Sequence, residues 1–171
     1  MRILIAILLG AALACSAGLA VATARPARPE PLASPATASL GWPLEPPEVL
    51  RPFDEPGSAF GPGHRGVDLA GAPGQPVLAA ADGVVVHAGW LVDRGVVSLE
   101  HASGLRTSYE PITPTVASGD RVARGQVIGH LAAGHPGCAA PACLHWGARE
   151  GDRYRDPLEL VAGSRVRLLP W

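Results

Sequence analysis

The sequence predicts an all-β domain with the architecture of an antiparallel β sandwich or barrel. Short runs rich in aliphatic and β-branched residues follow one another from residue 77 to residue 149, with Gly, Pro and Asp between them. The run 105–110 alternates apolar and polar residues, as a half-buried strand does. Beyond the N-terminal apolar stretch, no segment has a convincing helical period except one turn near residues 156–160. Several strands at such short spacing are typical of sandwiches and barrels.

The individual strands are expected from composition and from the turn residues between them. Asp82-Gly83 separates the first two runs, and residues 102–104 supply the turn before the alternating strand. Gly119-Asp120 and Gly125 mark a turn-rich pair further along the chain. The predicted strands are, in chain order, 77–80, 84–88, 95–101, 105–110, 119–122, 125–129 and 143–149.

The N-terminus has the pattern of a secretory signal peptide, predicted over residues 1–24. Arg2 gives a positive start, residues 3–19 are apolar, and Ala22-Thr23-Ala24 has the small-x-small pattern of a cleavage site. An uncleaved membrane anchor and a lipoprotein modified at Cys15 are the alternatives. We expect a bacterial protein that is secreted or associated with the cell envelope, with no membrane span after cleavage.

The rest of the chain divides by composition into a linker, a domain and a tail. Residues 25–46 are rich in Pro and Ala and are expected to form an extended linker. The predicted domain is 47–162, and 163–171 is a C-terminal tail. The 14 basic residues are all arginine, the net charge is -1, and no basic run stands out, so nucleic acid is not an expected partner.

Three residues have the chemistry of a zinc site: His64, Asp68 and His145. Imidazole nitrogens and carboxylate oxygens are ordinary zinc ligands. His64 and Asp68 are predicted to lie in a Gly/Pro-rich loop, where Gly66 would let the backbone turn tightly enough for both to reach one ion. His145 would come from the last strand. Three protein ligands leave a position open, which is the catalytic rather than the structural pattern.

Motifs around these residues occur in the order seen in one enzyme family. The chain resembles the lysostaphin/LytM-like zinc metalloendopeptidases, which cut peptide cross-links in bacterial peptidoglycan. The matching segments are Gly61 to Asp68 with its His-x-x-x-Asp, Pro76 to Val85, Gly119 to Gly129, Leu144 to Gly147, and Asp156-Pro157. The resemblance implies a β fold of the duplicated hybrid motif type, zinc as cofactor, and peptidoglycan peptides as partners.

Two departures from the family pattern concern catalysis. The resemblance implies an assisting histidine at the first position of a His-x-His motif and another in a Tyr-x-His motif, where this chain has Cys143 and Pro111. A positioned acid or base contributes roughly 10²–10⁴-fold to rate. We predict that His135, in the loop before Cys143, supplies the missing group. Glu110 is not expected to do so, because it should face away from residue 111.

The cysteines that remain after export, Cys138 and Cys143, are predicted to form a disulfide, since an even count in an exported chain favours one. A fourth zinc ligand and a catalytic thiolate are the other readings of Cys143. Arg65 and Tyr109 are predicted substrate contacts in the groove; a solvated loop arginine and a core tyrosine are the alternatives.

Two functions remain open from the sequence. The first is a zinc metallopeptidase acting on peptidoglycan cross-links. The second is a catalytically inactive, zinc-retaining module of the cell wall that binds or regulates a partner hydrolase. A biotinyl- or lipoyl-carrier domain is excluded because the chain has no lysine for attachment.

Overall fold

The computed structural model describes residues 39–58 and 61–161. The predicted signal peptide, the tail 163–171 and most of the predicted linker lie outside these residues. Within them, no helix has both the length and the apolar character needed to cross a membrane.

The described residues form two antiparallel sheets and almost no helix, which confirms the predicted all-β fold class. The strands are β1 Val49–Arg51, β2 Gly66–Gly71, β3 Pro76–Leu78, β4 Gly83–Leu91, β5 Arg94–Glu100, β6 Leu105–Glu110, β7 Ile112–Pro114, β8 Arg121–Val122, β9 Val127–Leu131, β10 Ala142–Glu150 and β11 Arg153–Arg155. One sheet has the order β1-β2-β10-β6-β5-β4-β8, with β11 paired to β10, and the other has the order β3-β9-β7.

One hydrophobic core is built from the inward faces of these strands. Strand β6 shows the rule: Leu105, Thr107 and Tyr109 are buried, and the residues between them are partly exposed. In β10, Leu144 and Trp146 are fully buried in the same core. The opposite face of β6 and β10 therefore remains available for a site.

The folded domain begins earlier than residue 47, which corrects the predicted end of the linker at residue 46. Leu40 and Leu44 are fully buried members of the core. Leu40 also pairs with Val161, the last described residue. The Pro-rich composition of this segment predicted a linker, although two of its leucines pack in the core.

Strand β2 was not predicted, because the sequence indicated a loop there. Its residues are buried on both faces between β1 and β10, so the segment lacks the alternation that marks a half-buried strand. Short β1, β7 and β11 were missed as well. The predicted turn near 156–160 is the helix α1 Pro157–Leu160, capped by the Asp156 side chain, which accepts a hydrogen bond from the Leu158 amide.

Candidate metal centre

Four charged or ionisable residues lie in one row across four strands of the larger sheet. Arg51 in β1 pairs with Asp68 in β2, Asp68 pairs with His145 in β10, and His145 pairs with Glu110 in β6. Residues directly opposite each other in antiparallel strands share a face of the sheet. The side chains of this row therefore lie on the face opposite the core.

The structure brings the three predicted ligands together. The His145 Nδ1 atom lies 2.9 Å from Asp68 Oδ1 and 3.0 Å from His64 Nε2, and His64 Nε2 lies 3.0 Å from Asp68 Oδ1. His64 and Asp68 are buried, and His145 is partly exposed. Ligands bound to zinc at about 2.0–2.1 Å in a tetrahedral arrangement are separated by about 3.3 Å. The three atoms are thus close to the spacing that one small cation requires.

The tautomer of His64 supports a cation between these atoms. His64 Nδ1 lies 2.7 Å from the carbonyl oxygen of Pro52. A carbonyl only accepts, so Nδ1 carries a proton, and in the neutral form that a metal ligand requires, Nε2 presents a lone pair to the Asp68 carboxylate. Two acceptors at that distance need a shared positive charge. Histidine ligands of metals commonly donate their other N–H to a backbone carbonyl in this way.

The electrostatics of Asp68 favour its ionised form, as a ligand requires. Burial raises the pKa of the Asp68 carboxyl, but the hydrogen bond with His145 and the electrostatic interactions with the neighbouring imidazoles of His135 and His64 outweigh burial and leave the pKa lowered. Asp68 is therefore a carboxylate when it faces the histidines. The donor set, two imidazoles and one carboxylate, suits zinc.

Gly66 contributes to this centre by a different mechanism from the one predicted. Asp68 reaches His145 because β2 and β10 pair, so no tight loop turn is involved. A Cβ atom at Gly66 would lie 2.5 Å from the Trp146 carbonyl oxygen and 2.8 Å from His145 Nε2. Glycine is required here because the ligand ring passes directly over the backbone.

A groove with a volume of about 430 Å³ opens at the ligand set. Its lining includes His64, His145, His135, Glu110, Arg51 and Trp90. His135 Nε2 lies 3.3 Å from Asp68 Oδ1, and the His135 ring is 6.1 Å from that of His145. The predicted catalytic histidine thus faces the groove beside the three ligands.

The predicted disulfide between Cys138 and Cys143 is present. It excludes the two other readings of Cys143, as a zinc ligand and as a thiolate. The bridge joins the loop that carries His135 to β10, two residues before His145. The amide of Cys138 also donates to the carbonyl of His135. The covalent link therefore holds the loop next to the ligand strand.

The predicted substrate contact at Tyr109 is wrong, and the one at Arg65 stays a prediction. Tyr109 is fully buried, and its hydroxyl accepts from the Ala80 amide and lies 2.9 Å from the Thr107 hydroxyl. Because Glu110 faces the groove, its neighbour Tyr109 must face the core. The Arg65 guanidinium lies over the ring of Tyr154, at 5.5 Å, and donates to the carbonyl of Gly61, and it does not line the groove.

Glu110 is the groove residue that sequence reasoning set aside. The register with His145 places it on the ligand side of the sheet. Its carboxylate binds Arg94 through both oxygens, at 3.1 and 3.2 Å. The alternation of 105–110 already assigned Tyr109 and Glu110 to opposite faces, so the burial of Tyr109 would have revealed the position of Glu110.

Comparison with known protein families agrees with this geometry. The profile described as Peptidase family M23 matches residues 62–157, which contain the three candidate ligands and the loop that carries His135. The chain belongs to peptidase family M23. This confirms the family indicated by the motifs.

Relatives of this M23 chain include proteins of several bacteria. Uncharacterized protein Rv2891 of Mycobacterium tuberculosis is 56% identical over 146 residues, covering 81% of this chain and 59% of that protein. DD-carboxypeptidase/endopeptidase Mpg of Neisseria meningitidis is 33% identical over 99 residues, covering 57% of this chain and 23% of that protein. The M23 chain thus spans about 59% of the length of the mycobacterial relatives to which it is 56% identical.

Solved structures similar to the M23 chain include a peptidase domain and a pore-forming complex. The catalytic domain of lysostaphin, an antimicrobial peptidase from Staphylococcus simulans, has a TM-score of 0.55 and 25% identity, covering 66% of this chain and 90% of that one. A structure of the SpoIIQ-SpoIIIAH pore-forming complex has a TM-score of 0.62 and 26% identity, covering 74% of this chain and 92% of that one.

Proposed function

We propose that this protein is an extracytoplasmic zinc metallopeptidase that hydrolyses the peptide cross-links of peptidoglycan. The observation that carries the proposal is the convergence of His64 Nε2, Asp68 Oδ1 and His145 Nδ1 at an open groove. The similarity to Mpg and to lysostaphin supports peptidoglycan peptides as the substrate class. The signal-like N-terminus supports export.

The side chains present divide the work as follows. His64, Asp68 and His145 would hold the zinc ion, and the backbone carbonyl of Pro52 fixes the tautomer of His64. The chemistry that zinc supplies when bound is Lewis acidity toward a peptide carbonyl and toward water. The groove would hold the peptide against the three ligand residues, and the apolar core behind β10 keeps His145 in place.

His135 is the residue proposed to act as the general acid or base in hydrolysis of the peptide bond. Pro111 and the half-cystine Cys143 occupy the positions where the resemblance places assisting histidines, and neither side chain transfers protons. Among the described residues, His135 is the groove-lining imidazole outside the ligand set. Its side chain is 14% exposed, so it is shielded yet open to a bound peptide.

The presence of Pro111 and Cys143 where the resemblance places assisting histidines also supports a second function. A wall-associated module that keeps the zinc site but does not cleave would bind peptidoglycan peptides and localise or regulate a partner hydrolase. This chain is also similar to SpoIIQ, whose solved structure is a complex with SpoIIIAH. That similarity supports the alternative in which the protein binds a partner protein instead of cleaving peptides. Nucleic acid has no place in either proposal, given the net charge of -1.

Digestion of purified peptidoglycan by the zinc-loaded protein tests the proposal. The expected result is the appearance of cleaved cross-links, detected by mass spectrometry of the released fragments, and its loss on chelation. Zinc content is measured in parallel in the wild type and in His64→Ala, which should lose the metal. His87→Ala, a histidine of β4 outside the groove lining, is the matched control and should keep both zinc and activity.

The two functions give opposite results in this experiment. A protein that binds one zinc and retains peptidoglycan on a pull-down, yet releases no new fragment over many hours, is the inactive module. A purified protein that takes up no zinc contradicts both.

A further inference from the structure

We propose that Arg51 recognises a carboxylate of the substrate next to the metal centre and so makes this M23 site selective for peptides with a free acidic group there. This inference rests on the proposed function, because it assigns the substrate class of the same groove. Arg51 is the end of the row that continues through Asp68 and His145 to Glu110.

The position of Arg51 brings its side chain to the ligands. Its Cα is the register partner of the Asp68 Cα, and directly paired residues of antiparallel strands have Cα atoms about 4.5–5.5 Å apart. The arginine is exposed, and it lines the same groove as His64 and His145. A peptide lying on the ligands therefore meets this guanidinium at the β1 wall.

The other charges of the groove are already committed. Asp93 and Glu110 both bind Arg94: its Nη1 is 2.8 Å from Asp93 Oδ1, and its Nε is 3.1 Å from Glu110 Oε2. Asp68 belongs to the ligand set. Within residues 39–58 and 61–161, no carboxylate lies within ion-pair distance of Arg51, whereas Arg94 has two.

An arginine without a carboxylate partner, beside a site for a divalent cation, creates a local excess of positive charge. Guanidinium binds carboxylates through two parallel hydrogen bonds, so an acidic group of the substrate would be both attracted and oriented. The ligand chemistry is a carboxylate. Its source is either the C-terminus of a stem peptide or an acidic side chain within it.

Three synthetic stem pentapeptides ending in D-Ala-D-Ala distinguish these sources: one unmodified, one amidated at the C-terminus and one amidated at its side-chain carboxylates. Affinity for the zinc-loaded full chain is measured by calorimetry, and KM and kcat are measured for any peptide that is cut. Amidation of the recognised carboxylate should weaken wild-type binding roughly tenfold to hundredfold, as expected for a lost charged hydrogen bond.

The variants identify Arg51 as the cause. Arg51→Gln should bind all three peptides alike, with KM changed far more than kcat, and Arg51→Lys should keep part of the discrimination. Arg121→Gln is the matched control, because Arg121 is an exposed strand arginine of β8 that does not line the groove. It should discriminate as the wild type does. Zinc content and thermal unfolding verify that each variant is folded and loaded.

The outcomes distinguish failure of the Arg51 inference from failure of the proposed function. If Arg51→Gln discriminates as strongly as the wild type, or if the wild type cuts peptidoglycan but does not distinguish the peptides, Arg51 is an edge-strand arginine only and the inference is overturned. If the zinc-loaded wild type neither binds nor cuts any peptide or peptidoglycan, the proposed function fails and the inference fails with it.

Discussion

Asp68 and His145 face each other directly across β2 and β10, with His145 Nδ1 2.9 Å from Asp68 Oδ1. A pair fixed by strand register cannot separate without breaking the ladder on either side of it. His64 joins the pair from outside these strands, held by its own bridge to Asp54 and by its hydrogen bond to Pro52. Strand pairing therefore holds Asp68 and His145, whereas His64 and His135 both lie outside the strands.

The backbone under His145 offers the most direct test of this geometry. Gly66→Ala would place a methyl group 2.5 Å from the Trp146 carbonyl oxygen and 2.8 Å from His145 Nε2. We expect the ring to be displaced, zinc affinity to fall by at least tenfold, and the free energy of unfolding to drop by about 1–3 kcal/mol, as in other overpacked positions.

Zinc titration and urea unfolding measure both effects of Gly66→Ala. Gly57→Ala is the control, since nothing lies within 4 Å of a Cβ at that position. Normal zinc affinity in Gly66→Ala would show that the two strands can part enough to admit a side chain, contrary to the register argument.

The role of His135 predicts a separation of activity from metal binding. His135→Ala should lower kcat by roughly 10²–10⁴-fold, the usual contribution of a positioned acid or base, while zinc content stays at the wild-type level. The pH profile of the residual activity should lose one limb. His130→Ala, at a partly buried histidine of β9 that does not line the groove, should have little effect.

Two results would contradict this role for His135. Unchanged kcat would remove His135 from catalysis. Loss of zinc together with activity would instead make it a fourth ligand.

The disulfide predicts a coupled loss of stability and of His135 placement. Cys138 and Cys143 are separated by five positions, and closing so short a loop stabilises the folded state by about 2 kcal/mol in the chain-entropy view. The double variant Cys138→Ser, Cys143→Ser should unfold at a lower temperature by calorimetry. It should also lose activity while binding zinc normally, because the ligands do not depend on the loop.

The His135→Ala background provides the control for that experiment. Removing the bridge there should cost the same stability but no further activity. A further large drop in kcat would mean that the bridge acts on the ligands themselves.

Tyr109 predicts how stability changes at alkaline pH. Burial raises the pKa of Tyr109 to about 12, from an ordinary value of 10.0, although its hydrogen bonds with Thr107 and Ala80 oppose the rise. The folded state favours the neutral phenol. Its contribution to stability is therefore complete below pH 10 and is lost as the pH rises from there toward about 12.

Urea unfolding from pH 8 to pH 11.5 measures this loss, and Tyr109→Phe should flatten the curve. The test is clean because all 14 basic residues are arginine, so no lysine titrates in this range. Tyr154→Phe, at the second tyrosine of the chain, is the control. An unchanged alkaline loss in Tyr109→Phe would assign it to another group.

Several features were determined by the sequence itself. The all-β class, the alternation of 105–110, the turn near 156–160, the three candidate ligands and the Cys138–Cys143 bridge all follow from local pattern, motif order or residue chemistry. Such signals depend on near neighbours in the chain, so they can be read without knowing which strands meet.

Only the tertiary structure decided which residues share the groove. Arg51, Asp68, His145 and Glu110 are far apart in sequence and become neighbours through strand register, which no local pattern reveals. The same register turned Tyr109 into the core and gave Gly66 its role beneath a ligand ring. The physical reason is that side chains alternate along a strand, so the pairing of Asp68 with His145 fixes the facing of the other residues of β2 and β10. In β1 the register shifts between Val49 and Arg51, and that irregularity sets Arg51 opposite Asp68.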